Sequence, residues 1–135
     1  MSHTPTIIPS LRYDNAPAAI DWLCTAFGFE RNMIVDGPNG TIAHAQLSYG
    51  NGMIMCGSYR KDEYRMESPG QLGGVVTGAI YVVVAEVDVH YARAKAAGAT
   101  IVREPVDQEY GGRDYSCRDL EGHVWSFGTY APTID

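Results

Sequence analysis

The chain has 135 residues, 45 % hydrophobic and 19 % charged, the make-up of one ordinary soluble globular domain that can bury a core. Its net charge of -6 argues against a nucleic-acid partner, which calls for a basic footprint, and no apolar run approaches the roughly 20 residues of a membrane span. Three widely spaced cysteines, Cys24, Cys56 and Cys117, suggest neither a disulfide framework nor a zinc finger, and the first residues lack the pattern of a signal peptide, so the cytosol is the expected location.

Residues 7–13 are β-rich and run into Asp14-Asn15-Ala16-Pro17, where a polar cap and an early proline announce a helix. Ala18, Ala19, Trp22, Leu23, Ala26 and Phe27 recur at helical spacing until Gly28 closes the helix. A strand over 33–35, a turn over 36–40 and a hairpin of 42–49 with 53–56 complete a β-α-β-β-β unit. Residues 58–74 are polar and end in a cluster of Pro and Gly, which reads as a linker and a candidate lid.

The second unit follows the same order. A strand over 79–85 leads to Asp88 and a helix carrying Val89, Ala92, Ala96 and Ala97, which Gly98 terminates. Residues 100–103 form the next strand, 104–112 a long turn, and 113–127 the last hairpin; the tail 131–135 is expected to be loose. A single shift carries Gly28 onto Gly98, Gly52 onto Gly122 and Ile54 onto Val124, so the chain reads as one unit written twice. The expected domain therefore spans 1–135, with modules over about 1–57 and 75–131 joined by the linker 58–74.

The paired modules resemble the vicinal-oxygen-chelate superfamily, the group of glyoxalase I, extradiol dioxygenases, fosfomycin-resistance transferases and bleomycin-binding proteins. The entry from Leu11 to Trp22, the segment Phe27-Gly28-Phe29 and the ending Asp119-Leu120-Glu121-Gly122-His123-Val124-Trp125 carry the likeness. It implies an α+β fold in which two β-α-β-β-β modules form curved mixed sheets, half-barrels with helices outside, paired in a dimer. It also implies a divalent metal in the enzymes, held by His, Glu or Gln from the first and last strands of each module. Carried onto this chain, those positions fall at or beside Ile8 or Pro9, Cys56, Ala79 or Ile80, and Ser126, none of them a histidine or a carboxylate. No metal and no other cofactor is therefore expected.

Strand alternation then selects candidate ligand-binding residues, because residues two apart share a face. With Cys56 and Ser126 facing inward like the family ligands, His44, Gln46, Asp114 and Ser116 share the inner wall. Ser10, Arg12 and Tyr81 are their first-strand companions. Leu47, Tyr49, Met55, Tyr115, Cys117, Trp125 and Phe127 then pack under the helices, and a slip of one residue exchanges the two sets. His44 with Gln46 is the best polar pair for a ligand; Asp114 with Arg113 and Arg118 reads either as a rim ion pair or as the anchor of a charged ligand. Most of the nine tyrosines and two tryptophans belong to a core, although some can stack a flat molecule. His90 is placed on a helix surface, and phosphate-loop, dinucleotide and Gly-x-Ser-x-Gly motifs are absent.

Two functions are compatible with these residues. The first is a metal-free homodimer, resembling the bleomycin-binding proteins, that sequesters a small organic, antibiotic-like ligand, a cationic one being suited to the acidic chain. The second is a superfamily enzyme, a glyoxalase-like lyase or a dioxygenase-like oxidoreductase, with a rearranged or absent metal site. A linker of about 17 residues reaches roughly 55 Å when extended, so it permits module pairing within a chain or between two chains.

Overall fold

The computed structural model describes residues 3–134. The first module consists of β1 (Ser10–Tyr13), α1 (Ala16–Phe27), β2 (Glu30–Asp36), β3 (Ile42–Tyr49) and β4 (Gly52–Ser58); the second of β5 (Ile80–Val83), α2 (Val87–Ala96), β6 (Thr100–Asp107), β7 (Arg113–Arg118) and β8 (Val124–Gly128). Each module forms one four-stranded mixed sheet, ordered β1-β4-β3-β2 and β5-β8-β7-β6. The first and last strands of each module pair in parallel and the remaining neighbours antiparallel. This is the α+β architecture expected from the repeated unit.

Local chemistry sets the helix ends. Asn15 caps α1 by accepting the Ala18 N–H at 3.2 Å, and Pro17 occupies the first turn, where no amide donor is needed. Gly28 stops the helix at a left-handed φ of 87°, and its N–H returns to the Cys24 carbonyl. Between these ends Ala16, Ala19, Ile20, Leu23, Ala26 and Phe27 form one buried stripe. The second helix differs from its expected face: Val87, His90 and Ala94 are buried, while Val89 is exposed. Its sequence is too evenly mixed for periodicity to orient it, and packing against the first module decides instead.

The two modules join through their helix-covered faces into one core. Phe27 and Phe29 of the first module meet Trp125 and Phe127 of the second, with ring centroids 5.3 Å apart for Phe27–Trp125 and 4.6 Å for Phe27–Phe127. Trp22 donates its indole N–H to the Ala97 carbonyl at 2.7 Å. Burying rings of this size contributes about 1.5–3 kcal/mol each. His90 lies inside this core, not on a surface. Its Nε2–H donates to the Phe27 carbonyl at 2.9 Å, which leaves Nδ1 to accept the Tyr115 hydroxyl at 2.5 Å. Burial lowers the His90 pKa and keeps the ring neutral.

The turn between β7 and β8 clasps the first module. Buried Asp119 accepts the Tyr13 hydroxyl at 2.6 Å, the Trp125 indole N–H at 3.0 Å and the backbone N–H groups of Glu121 and His123. Glu121 accepts the Asp14 and Asn15 N–H groups just before α1, and the His123 Nε2–H donates to the Arg12 carbonyl. The segment Asp119-Leu120-Glu121-Gly122-His123 therefore holds β1 in place across the module boundary.

Two expected boundaries shift. The strand predicted over 33–35 spans Glu30–Asp36, and the long turn predicted over 104–112 begins only after β6 ends at Asp107. Pro105 sits within an irregularity between Arg103 and Val106, the kind of place where a strand tolerates a residue without an N–H donor. The linker is ordered in part: Pro69–Leu72 form a single 3-10 turn, with Ser68 and Pro69 buried. Of the tail expected to be loose, Asp135 lies outside the described residues, as do Met1 and Ser2 at the other end. No helix among the described residues is long and apolar enough to cross a membrane.

Candidate functional site

Because the covered faces share a core, each sheet turns its other face outward, and strand register tells which residues occupy it. In the first module Ser10 pairs with Met55 and Met55 with Gln46, while Arg12 pairs with Gly57 and His44 with Val35. In the second, Tyr81 pairs with Ser126 and Ser126 with Ser116, while Val83 and Asp114 flank Gly128. Directly paired residues project to the same side. The candidates therefore fall into two groups, Ser10, Arg12, His44 and Gln46 on one open face and Tyr81, Asp114, Ser116 and Ser126 on the other.

Cys56 joins neither group. It pairs with Leu11 and Ala45, and all three point into the core beneath α1, while Met55 takes the open face that was assigned to Cys56. The physical reason is a longer turn in the second hairpin. Tyr49 pairs with Gly52, but Arg118 pairs with Val124, so the last strands are offset by one residue relative to a single repeat shift. One residue reverses every side chain of a strand. Burial pushes the Cys56 thiol up to about 12, with Cys24 and Asp119 adding to it, so a thiolate nucleophile is not available there.

On the first open face the His44 Nε2–H donates to Gln46 Oε1 at 2.9 Å, and Gln46 Nε2 donates to Asn32 Oδ1 at 2.9 Å. Arg12 is 6 % exposed and donates from Nη2 to Asp62 at 3.0 Å; Arg60 reaches the same carboxylate at 3.4 Å. Burial opposes the Asp62 charge, yet the hydrogen bonds from Arg12, the Tyr64 N–H and Arg60 outweigh it and hold its pKa below the ordinary value. A hollow of about 100 Å³ opens between Ser10, Arg12, His44, Met55 and Arg60.

The second open face is built around an acid. Asp114 is 7 % exposed and accepts Gln108 Nε2 at 2.9 Å and the Tyr110 hydroxyl at 3.2 Å. Neither Arg113 nor Arg118 pairs with it: Arg113 bridges Asp88 and Asp107, and Arg118 donates to the Gly74 and Gly122 carbonyls. The guanidinium groups reach the rim and the neighbouring turn, leaving Asp114 with neutral donors. Ser116 and Ser126 share a hydrogen bond of 2.7 Å. Tyr81 lies across Gly128 and donates to the Tyr130 carbonyl at 2.8 Å; burial, then the nearby Asp114 charge, raises its pKa. A Cβ on Gly128 would stand 2.6 Å from the Tyr81 hydroxyl and 2.8 Å from Asp114 Cβ, so the glycine makes room for both.

A family model described as the Glyoxalase/Bleomycin resistance protein/Dioxygenase superfamily matches residues 4–127. The chain belongs to this superfamily. An uncharacterized protein of Mycobacterium tuberculosis strain H37Rv is 34 % identical over 132 residues, covering 92 % of this chain and 74 % of its own length. Among solved structures, TioX from Micromonospora sp. ML1 is 36 % identical, with a TM-score of 0.71 over 97 % of this chain and 100 % of that one. FosX from Listeria monocytogenes, a fosfomycin resistance protein, is 15 % identical and shares the fold, with a TM-score of 0.68 over 98 % of this chain and 97 % of its own.

The superfamily resemblance assigns metal ligands to first and last strands. Here strand register puts the neighbouring pairs Ser10 with Met55 and Tyr81 with Ser126 on the open face of those strands, and among the positions carried over from the resemblance it turns Cys56 to the core. Two aliphatic hydroxyls, a thioether and a phenol do not match the imidazole and carboxylate donors of catalytic divalent sites. Among the described residues, no three His, Cys, Asp or Glu side chains cluster as a metal site. Sequence reasoning missed Asn32, Arg60, Asp62, Gln108, Tyr110 and Gly128. Only Gly128 left a usable signal, since it matches Gly57 once the last strand is shifted by one.

Proposed function

We propose that this superfamily member binds a small organic molecule against the open faces of its sheets, without a divalent metal and without changing the ligand. The donor set of Ser10, Met55, Tyr81 and Ser126 carries this reading, because it supplies hydroxyls and a thioether where a metal enzyme needs charged or imidazole ligands. Apolar side chains left exposed on the same faces, Met33, Val35, Val83 and Val106, provide area for an organic ligand and for a second copy of the chain. Asp114, buried yet held only by neutral donors, supports a cationic group on that ligand. A twofold dimer that pairs the first module of one chain with the second of its partner would enclose two equivalent cavities.

The test combines elemental analysis of purified protein, a thermal-shift screen of cationic antibiotics, and mass spectrometry of the recovered ligand. Expected are substoichiometric metal, a raised melting temperature and an unmodified compound. Stoichiometric zinc, manganese or iron, or a chemically altered ligand, would sink the reading. Light scattering at micromolar concentration should give a dimer that Val35→Glu weakens. The alternative, a lyase or oxidoreductase of the superfamily, draws on His44, whose Nε2–H is engaged by Gln46 and whose Nδ1 is thereby the basic nitrogen.

A further inference from the structure

Among the described residues, Arg12 Nη1 is the one buried side-chain nitrogen or oxygen without a hydrogen-bond partner. Leaving such a donor unmet costs about 1–3 kcal/mol, and more for a charged group. Arg12 also lines a small hollow that a second guanidinium, Arg60, borders.

We infer that this hollow is an acceptor subsite that takes a carboxylate of the ligand between the Arg12 and Arg60 guanidinium groups that line it. The inference rests on reading the open faces as ligand-binding walls, and it adds which chemical group enters the first module. Charge supports a carboxylate over a neutral carbonyl. Arg12 and Arg60 share the single carboxylate of Asp62, so the cluster keeps one net positive charge within a chain of net charge -6. Burial makes that charge effective: the Arg12 side chain is 7 % exposed, whereas Arg60 is 55 % exposed and is held at the rim by Asp62 and the Ala43 carbonyl.

Shape is consistent with the same assignment. At about 100 Å³ the hollow admits a carboxylate-sized group and little more, so the body of the ligand stays outside, along Met55 and His44. Gly57, the residue paired with Arg12, also borders the hollow, and a Cβ there would meet the Ala43 and Ile42 carbonyl oxygens at 3.2 and 3.3 Å. The position is held as glycine by close packing against β3. Asp62 fixes the Arg12 guanidinium through Nη2, with its own Oδ1 accepting the Tyr64 N–H at 3.1 Å, so the guanidinium is oriented before any ligand arrives.

The experiment uses the isotopically labelled full chain and three probes of one shape: benzoate, neutral benzamide and cationic benzamidine. Benzoate should shift the Arg12 side-chain and Gly57 amide resonances saturably, with benzamide at least about five-fold weaker and benzamidine inactive there. Arg60→Gln, at an exposed position, should weaken benzoate about two- to ten-fold without changing the melting temperature. Arg12→Gln should abolish the shifts; since it strips Asp62 of its buried partner, Arg60→Gln is the deciding variant. Shifts located elsewhere, equal binding of benzoate and benzamide, or unaltered affinity in Arg60→Gln would overturn the subsite. A protein that sequesters an antibiotic without metal but ignores benzoate would overturn only this inference. Stoichiometric metal with benzoate still at Arg12 would instead overturn only the metal-free reading.

Discussion

The two faces of the sheets treat charge and polarity in opposite ways. On the covered face, Asp119 meets four donors and His90 uses both ring nitrogens, so these two polar side chains are matched inside the shared core by partners from both modules and the turn. On the open face, Arg12 keeps an unmet nitrogen and Asp114 has no cation. The covered face is finished by folding, whereas the open face keeps polar groups that folding of the single chain leaves without a matching partner or counter-charge. This difference separates the polar residues that folding satisfies from those the proposed ligand site would use, although both kinds are buried.

Comparing two buried aspartates breaks or sustains that contrast most directly. Asp119→Ala should cost about 3–5 kcal/mol in denaturant unfolding, because it strands the Tyr13 hydroxyl, the Trp125 N–H and two backbone donors at once. A loss under about 1 kcal/mol would mean that the turn is not the clasp described. Gly128→Ala tests the boundary between the faces. Its Cβ would press on Tyr81 and Asp114, and overpacking of this kind costs about 1–3 kcal/mol. Relief by the double variant Gly128→Ala with Tyr81→Phe would identify the hydroxyl as the obstacle.

A smaller effect should appear with pH. His90 has a folded pKa below its unfolded value of about 6.5, so its contribution is complete above that value and declines as pH falls toward the folded pKa. Melting curves between pH 7 and 5 should show a loss of at most about 1.4 kcal/mol per pH unit from this residue, and His90→Gln should flatten the slope. The smallest change in stability is expected for Asp114→Asn. It keeps an acceptor oxygen for Gln108 or Tyr110 and should alter unfolding by less than about 1 kcal/mol, while weakening any cationic ligand found by thermal shift. A large stability loss would place Asp114 with Asp119 and remove the contrast.

The repeated β-α-β-β-β order was legible in the sequence because each signal is local: Asn15 and Pro17 start α1, Gly28 stops it, and alternation with tight turns writes the hairpins. Alternation within β3 and β7 likewise places His44 with Gln46 and Asp114 with Ser116. What the residues did not disclose is how one hairpin is offset from the other. Cys56, expected on the open face, lies on the covered one because the turn after β7 is longer than its counterpart, and local spacing does not report strand register. His90, expected on a surface, lies in the core because the weakly patterned α2 is oriented by Phe27 and Tyr115, which lie 63 and 25 residues away in the chain.

By itself, then, the sequence determined the elements, their duplication and the residue types available to a site, since propensity, capping and period act over a few neighbours. Tertiary structure alone decided which polar groups meet a partner. The convergence of Tyr13, Trp125 and the turn on Asp119, the bridging of Arg113 to Asp88 rather than Asp114, and the unmet nitrogen of Arg12 all depend on contacts between distant segments. Whether a buried charge is satisfied is a property of the packed whole, because desolvation comes from every surrounding element and compensation only from those whose geometry reaches it.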